Sequence, residues 1–125
     1  MSAPLIDIGI NLTHDSYDAD RPAVLARARA AGLVHLVITG TSVAGSEKAA
    51  ELAATDPSFL SATAGVHPDT EDMREPDVAE QVRLAALSRV VAIGETGLDY
   101  YRLNGRSVAD MEWQRERFRT HIRAA

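Results

Sequence analysis

Four short apolar segments, each followed by an amphipathic helical pattern, constrain the possible folds of this chain more than any other feature. The apolar segments have the length and the β-branched content of strands, and the segments between them repeat apolar residues at helical spacing. Such an alternation predicts an α/β fold with a parallel sheet and right-handed crossovers. The strand segments are residues 4–12, 33–40, 59–66 and 89–95, and the helical segments are residues 20–32, 42–56, 75–89 and 107–125.

Residues that favour helix ends lie at the ends of these helical segments. Pro22 suits the first turn of a helix, and Gly32 suits the position directly after one. Ser42 and Ser107 are expected to cap helix N-termini through their hydroxyl groups. The Asp-Pro dipeptide at residues 56–57 marks a helix exit. These signals support the predicted order of strand–helix units.

Size and composition predict one globular domain. The chain has 125 residues, of which 46% are hydrophobic and 25% are charged, enough for one core. The absence of cysteine excludes disulfides, thiolate nucleophiles and zinc sites built from thiolates. No apolar stretch approaches the roughly 20 residues that cross a bilayer, and the N-terminus lacks the pattern of a secretory signal. We therefore expect a cytoplasmic protein with no membrane partner.

The formal net charge of −5 limits the nucleic-acid contacts that the chain can make. Binding to duplex DNA by charge alone needs a basic surface, so a protein that coats nucleic acid is not expected. A metal-dependent nuclease remains compatible with the charge, because the ion supplies positive charge and its ligands are acidic.

The C-terminal ends of the predicted strands combine glycine with polar or ionisable residues. In a parallel sheet these ends lie at one edge, whatever their separation in sequence. Asn11, the threonines of residues 39–41, His67 and Glu95 follow the four strands in turn. Such groups hold hard cations and phosphates, and glycine allows a ligand to approach the backbone. The pattern predicts an active site at this edge.

Glu95, His67 and Asp7 are the strongest single candidates. Glu95 follows the apolar residues 90–93, where a carboxylate must be paired or bound to a metal. His67, which precedes Pro68, is either a metal ligand, a phosphate donor or a turn residue. Asp7 lies between isoleucines in the first strand, where it either binds a metal or orients another ligand.

The segment at residues 99–102 is predicted to contact substrate. Its two tyrosines, Tyr100 and Tyr101, are suited to stacking on bases, and Arg102 is suited to a phosphate. Asp99 is the first residue of this segment and is predicted to contact substrate as well. Ordinary packing beneath a loop is the alternative for the tyrosines.

The remaining histidines are predicted to have no part in the chemistry. His35 lies inside an apolar strand and is expected to be a core or interface residue. His14 is expected to lie in a loop, and His121 is expected to lie on the surface of the last helix.

Two motifs resemble those of a known family. The sequence AGVHP at residues 64–68, followed by AIGETGLDYYR at residues 92–102, resembles the TatD family of metal-dependent deoxyribonucleases, which are amidohydrolase-like TIM barrels. Residues 7–13, 37–41 and 114–118 are similar to further stretches of that family, so the resemblance covers essentially the whole chain. It implies that residues 1–125 form the N-terminal half of a TatD-like barrel domain.

The resemblance also implies a reaction and a site. The family hydrolyses DNA phosphodiester bonds, typically as a 3′-to-5′ exonuclease on single strands or 3′ ends, with one or two divalent cations. Mg²⁺ is the expected ion, and Mn²⁺ or Zn²⁺ are the alternatives. By this likeness Glu95 and His67 are the catalytic residues, with Glu95 on the metal and His67 on substrate phosphate.

The first strand departs from the pattern of many relatives. Those relatives begin with Asp-x-His-x-His, whose histidines bind a metal, whereas residues 7–11 here contain neither histidine. Asp7 and Asn11 are then the weaker metal-ligand candidates, and Asn11 can offer its carbonyl or its amide to water or phosphate.

The length of this sequence also differs from that of a complete family member. A complete barrel needs eight strand–helix units and roughly 250 residues, and this sequence supplies four of them. The histidines and the aspartate that later strands of the relatives supply are not in it. We therefore expect a half-barrel or a truncated chain that is inactive alone and either self-associates or pairs with its missing C-terminal half.

Two other functions remain open from the sequence. One is a different amidohydrolase-like enzyme, although the single lysine, Lys48, lies in a helical segment and not at a strand end. The other is a half-barrel without catalytic activity that binds metal or phosphate, or that serves as an assembly module.

Overall fold

The computed structural model describes residues 3–71 and 75–125, and its strands form one parallel sheet. Strands adjacent in sequence are adjacent in space, in the order β1-β2-β3-β4, which confirms the predicted α/β fold. The elements are β1 Leu5–Ile10, α1 Arg21–Ala30, β2 Leu33–Ile38, α2 Val43–Ala54, β3 Leu60–Ala64, α3 Val78–Ala85, β4 Val90–Ile93 and α4 Glu112–Ala124, with short 3₁₀ helices at Asp15–Tyr17 and Val108–Asp110.

The helix ends follow the sequence signals with one exception. Ser42 caps α2 by accepting a hydrogen bond from the Gly45 amide at 2.9 Å. Gly32 follows α1 with a φ of +93°, a conformation that glycine adopts without strain. Ser107 caps a 3₁₀ turn instead of α4, because its amide and hydroxyl both donate to the Asp110 carboxylate, at 2.8 and 2.9 Å. The α4 helix consequently begins only at residue 112.

The hydrophobic core lies between the sheet and α2. Leu36, Ile38 and Leu60 from β2 and β3 form one buried cluster with Ala49 and Ala53 of α2. The small alanine side chains let the helix approach the sheet closely, and burial of each large aliphatic side chain contributes about 1.5–3 kcal/mol. This core fixes β2 and β3, whose C-terminal ends carry the candidate site.

The outer strands are much more exposed than the central ones. Ile8 of β1 is 77% exposed and Val91 of β4 is 62% exposed, because each of these strands pairs with one neighbour only within the described chain. His35 is half-buried and lies 2.9 Å from the Ser61 hydroxyl, as expected for a core or interface histidine. Edge strands with exposed apolar side chains favour association with another polypeptide segment.

Among the described residues, none of the helices combines the length and the apolar character that a membrane span requires.

Candidate active site

The C-terminal ends of β2, β3 and β4 are joined by backbone hydrogen bonds. The Glu95 amide donates to the Gly40 carbonyl at 2.6 Å, and the His67 amide donates to the Thr41 carbonyl at 2.9 Å. The Gly94 amide donates to the Ala64 carbonyl at 2.9 Å. Residues that are far apart in the sequence therefore meet at one edge of the sheet, where parallel strands place their exits.

His67 lies between two carboxylates at this edge. Its Nδ1 is 2.7 Å from Asp69 Oδ1, and its Nε2 is 3.1 Å from Glu95 Oε1. The Glu95 side chain is 41% exposed, whereas that of Asp69 is 15% exposed. A carboxylate that is both anchored beside a histidine and open to solvent is accessible to an ion or a substrate.

The segment after β4 contacts the loop that follows β3. Arg102 Nη1 lies 3.1 Å from Asp69 Oδ2, so Arg102 and His67 contact the same carboxylate. Asp99 accepts a hydrogen bond from the Tyr101 amide at 3.0 Å, and Tyr101 itself is 88% exposed. The Tyr100 hydroxyl accepts a hydrogen bond from Arg115 at 3.2 Å. Tyr101 is thus exposed to solvent, whereas the Tyr100 hydroxyl is bonded to α4.

Nitrogen and carboxylate donors suited to a divalent cation lie close together here. His67, Asp69 and Asp99 each offer one ligand atom, and these atoms lie within 4.8 Å of one another. Glu95 is not a member of this group, and it contacts His67 on the other ring nitrogen. Carboxylate oxygens suit Mg²⁺ and Mn²⁺, and the imidazole also suits Zn²⁺, so the donor set fits the metal that the resemblance implies.

The first-strand candidates form hydrogen bonds within β1 and the turn that follows it. Asp7 is exposed in β1, and its Oδ1 accepts a hydrogen bond from the Gly9 amide at 3.0 Å. Asn11 is exposed after β1, and its carbonyl accepts a hydrogen bond from the His14 amide at 3.1 Å. A metal-binding role for Asp7 or Asn11 stays a prediction.

Two buried residues of α4 form hydrogen bonds with the segments that carry the candidate side chains. Arg117, whose side chain is 1% exposed, donates to both Glu75 carboxylate oxygens and to the His67 carbonyl. Gln114 accepts a hydrogen bond from the Asp99 amide at 2.7 Å and donates to the Asp99 carbonyl at 2.8 Å. The helix thereby fixes the backbone of both segments that carry candidate side chains.

His121 is buried, so its expected place on a helix surface is wrong. Its exposure is 1%, its Nε2 accepts a hydrogen bond from the Val66 amide, and its Nδ1 donates to the Arg117 carbonyl at 2.8 Å. The reason lies in tertiary packing, because the face of α4 that carries His121 contacts the exit of β3. His121 thus supports the backbone next to His67.

We expect the stability of the fold to decrease as the pH falls below the ordinary histidine pKa of 6.5. Burial lowers the pKa of His121, because desolvation disfavours the imidazolium. The unfolded chain then binds a proton that the folded chain does not, so the contribution of His121 to stability is fully present above pH 6.5 and is lost as the pH falls below it.

Urea unfolding of the wild type and of His121→Gln at several pH values measures this effect. The free energy of unfolding of the wild type should decrease on acidification more steeply than that of the variant. His14→Gln, which removes an exposed imidazole and keeps His121, is the matched control. Equal slopes for the wild type and His121→Gln would contradict the assignment.

Three residues of this edge were not predicted from the sequence. Asp69 follows the Gly-Val-His-Pro motif directly, and the pairing of its carboxylate with His67 and Arg102 depends on tertiary structure. Gln114 and Arg117 lie in the stretch at residues 114–118 that carries part of the resemblance. Their spacing of three residues, continued by His121 four residues later, is the signal that places them on one helix face.

Curated relatives share this sequence over most of the chain. The family described as TatD related DNase matches residues 6–125. The "3'-5' ssDNA/RNA exonuclease TatD" of Dickeya dadantii strain 3937 is 48% identical over 99 residues, which cover 78% of this chain and 38% of the relative. The protein of the same name from Edwardsiella piscicida is 46% identical over 99 residues, with the same coverage of 78% and 38%.

Solved structures share the fold. A hydrolase TatD family protein from Entamoeba histolytica matches with a TM-score of 0.72 and 34% identity, over 96% of this chain and 45% of that one. A TatD homologue from Escherichia coli K12 matches with a TM-score of 0.80 and 26% identity, over 97% of this chain and 46% of that one. The chain thus spans less than half the length of these relatives and corresponds to part of the TatD TIM barrel. The match over residues 6–125 shows that the chain belongs to the family of TatD-related DNases.

Proposed function

We propose that this chain is the N-terminal part of a metal-dependent hydrolase that removes nucleotides from the 3′ end of single-stranded nucleic acid. The observation that supports this most is the pairing of His67 Nε2 with Glu95 Oε1 at 3.1 Å, at the strand ends of a TatD-related chain. The relatives are named for ssDNA and RNA, so the proposed substrates include RNA besides the DNA that the sequence motifs imply.

Glu95 is the proposed metal-binding residue of this chain. Its carboxylate follows β4 directly, is 41% exposed and lies beside a histidine, so it can reach an ion without leaving its backbone anchor at Gly40. A divalent cation, Mg²⁺ or alternatively Mn²⁺ or Zn²⁺, would lower the pKa of a bound water and polarise the phosphate. The remaining ligands would come from the part of the relatives that lies beyond this chain.

His67 and Arg102 are the proposed phosphate contacts. The imidazole and the guanidinium both contact the Asp69 carboxylate, so the two side chains lie close together at this edge of the sheet. Charge on the phosphoryl oxygens would be stabilised by both groups, which stay in place through Asp69. The exposed ring of Tyr101 would stack against the terminal base.

The substrate and the metal dependence are tested on the complete enzyme, meaning a protein that contains this chain and the remaining barrel of its relatives. Single-stranded DNA and RNA oligonucleotides with a 5′ label should be shortened stepwise when Mg²⁺ is present and should stay intact after chelation. Internal cleavage, equal activity after chelation, or hydrolysis of amide or lactone substrates only would overturn the proposal.

Replacing His67 or Arg102 by alanine should weaken oligonucleotide binding without removing the metal. Loss of one phosphate contact should lower the slope of log affinity against log salt by about one, with metal affinity unchanged within about tenfold. Arg83→Ala, which removes a half-exposed arginine of α3, is the matched control. Complete loss of metal binding in His67→Ala would instead make His67 a metal ligand.

The 125-residue chain by itself is proposed to be inactive and to self-associate. Its outer strands expose apolar side chains such as Ile8 and Val91, and a stable interface buries about 1,000 Å² or more. Light scattering should report a dimer or a larger assembly. A stable monomer, or Mg²⁺-dependent nuclease activity that co-purifies with this mass, would contradict the expectation.

A further inference from the structure

We propose that Gln114 is a positioning residue for nucleic-acid binding, because its side chain holds the main chain of the segment that presents Tyr101 and Arg102. The inference deepens the proposed function and rests on it for the identity of the ligand. Gln114 lies in the first turn of α4 and is 0% exposed, whereas Tyr101 is 88% exposed and the Arg102 side chain is 70% exposed. A buried residue thus supports two side chains that face solvent.

The Gln114 side chain pairs with both polar groups of the Asp99 main chain. Its Oε1 accepts a hydrogen bond from the Asp99 amide at 2.7 Å, and its Nε2 donates to the Asp99 carbonyl at 2.8 Å. A residue of a neighbouring antiparallel strand would satisfy the same two groups in this way. The contact therefore fixes the path of the main chain and does not use the Asp99 carboxylate.

The segment at residues 97–102 depends on side chains for its order. Within the described parts of the chain, these residues form no hydrogen bond from main chain to main chain. Asp99 Oδ1 accepts a hydrogen bond from the Tyr101 amide at 3.0 Å, so the position of Asp99 is passed on to the tyrosine. Gln114 joins this main chain to a helix, and its burial keeps the joining group in one place.

A defined direction of Tyr101 and Arg102 matters for binding. If a stacking ring and a phosphate-binding guanidinium must be ordered when the substrate arrives, the cost of that ordering lowers the affinity. The guanidinium of Arg102 is also held by Asp69, at 3.1 Å, but the Tyr101 ring is almost fully exposed and follows its main chain. Loss of the two Gln114 bonds should therefore weaken the binding of single-stranded nucleic acid.

Glu95, the proposed metal-binding residue, has a separate anchor. Its amide donates to the Gly40 carbonyl at 2.6 Å, a bond that does not involve Gln114. A substitution that removes only substrate binding raises KM and leaves kcat unchanged. The inference thus predicts an effect on KM.

Steady-state kinetics of the complete enzyme on a 5′-labelled oligothymidylate, at saturating Mg²⁺, test this prediction. Gln114→Met keeps the length of the side chain and removes both hydrogen bonds, so KM should rise at least about fivefold while kcat stays within about twofold. Gln81→Met is the matched control, because it removes another glutamine that is 0% exposed and that donates to the Ala64 carbonyl at 2.8 Å. An unchanged KM in Gln114→Met, an equal rise in both variants, or a loss confined to kcat would overturn the proposal.

A double-mutant cycle distinguishes positioning from a general effect on the fold. In an enzyme that carries both Tyr101→Ala and Arg102→Ala, the groups that Gln114 positions are absent. Addition of Gln114→Met to this enzyme should then change KM by less than about twofold. A change as large as in the wild-type background would show that Gln114 does not act through these two residues and would refute the inference.

Hydrogen exchange of the wild-type enzyme, resolved to single residues, decides the matter even when a variant fails to fold. The Asp99 amide should exchange at least about a hundredfold more slowly than in an unstructured peptide, because its partner is buried. An unprotected Asp99 amide would overturn the proposal. Failure of the wild-type enzyme to shorten oligonucleotides would refute the proposed function, whereas an active enzyme whose KM is insensitive to Gln114→Met would refute this inference alone.

Discussion

Glu95→Gln is expected to abolish nucleotide release by the complete enzyme while the fold is kept. The amide has the size of the carboxylate but no charge, so it is a far weaker partner for a hard divalent cation. The side chain is 41% exposed and its backbone amide remains bonded to Gly40, so the substitution leaves the local packing intact. Initial rates on a labelled single-stranded oligonucleotide at saturating Mg²⁺ measure the effect.

The control for this substitution is Glu51→Gln, an exposed glutamate in α2. It makes the same chemical change away from the strand ends and should keep the wild-type rate. Retention of more than about a tenth of the rate in Glu95→Gln would mean that the carboxylate contributes less than ~1.4 kcal/mol to the barrier. Such a result would remove Glu95 from the metal site.

Gly65→Ala is expected to cause the largest loss of stability among single substitutions in the site. A Cβ on residue 65 would overlap the Glu95 carbonyl oxygen and would lie 2.6 Å from the Gly94 carbonyl carbon. These are backbone atoms of the segment that carries Glu95, the proposed metal-binding residue, so they cannot move aside as a flexible side chain can. Overpacking of this kind costs about 1–3 kcal/mol, and more where the surroundings are rigid.

Urea unfolding of Gly65→Ala and Gly9→Ala separates this steric effect from the general effect of replacing glycine. A Cβ at Gly9 would meet no atom within 4 Å, and this glycine lies in an exposed strand. Gly9→Ala should therefore change stability by no more than about 0.5 kcal/mol. Similar unfolding free energies for the two variants would show that the close approach at Gly65 does not hold the segment.

The fold was predictable because its signals are local. Alternating strand and helix patterns, together with residues such as Pro22, Gly32 and Ser42, indicate the elements and their order without knowledge of the tertiary structure. The start of α4 was less predictable, since Ser107 has the pattern of a helix cap but caps a 3₁₀ turn. The exposure of β1 could not be predicted either, because it depends on what packs beside an edge strand and not on the sequence of the strand.

The candidate site was predictable to the extent that strand ends converge. His67 and Glu95 meet because both follow parallel strands, which the sequence pattern indicates directly. Asp69 and His121 were not predicted, because one acts through a contact between loops and the other through a helix face that turns inward. No pattern near Asp69 indicates its contacts, and the helical spacing of His121 with Gln114 and Arg117 indicates a shared helix face but not what that face contacts.

Crystals of the complete enzyme grown with Mn²⁺ give the most direct test of the claim that Glu95 holds a catalytic cation. An anomalous difference map recorded at the manganese edge should show a peak at the C-terminal ends of the strands, with a Glu95 carboxylate oxygen at about 2.0–2.2 Å from the ion, the usual length for small divalent cations. The peak should disappear in Glu95→Gln. A peak that lies elsewhere, or one that persists in the variant with full occupancy, would contradict the account.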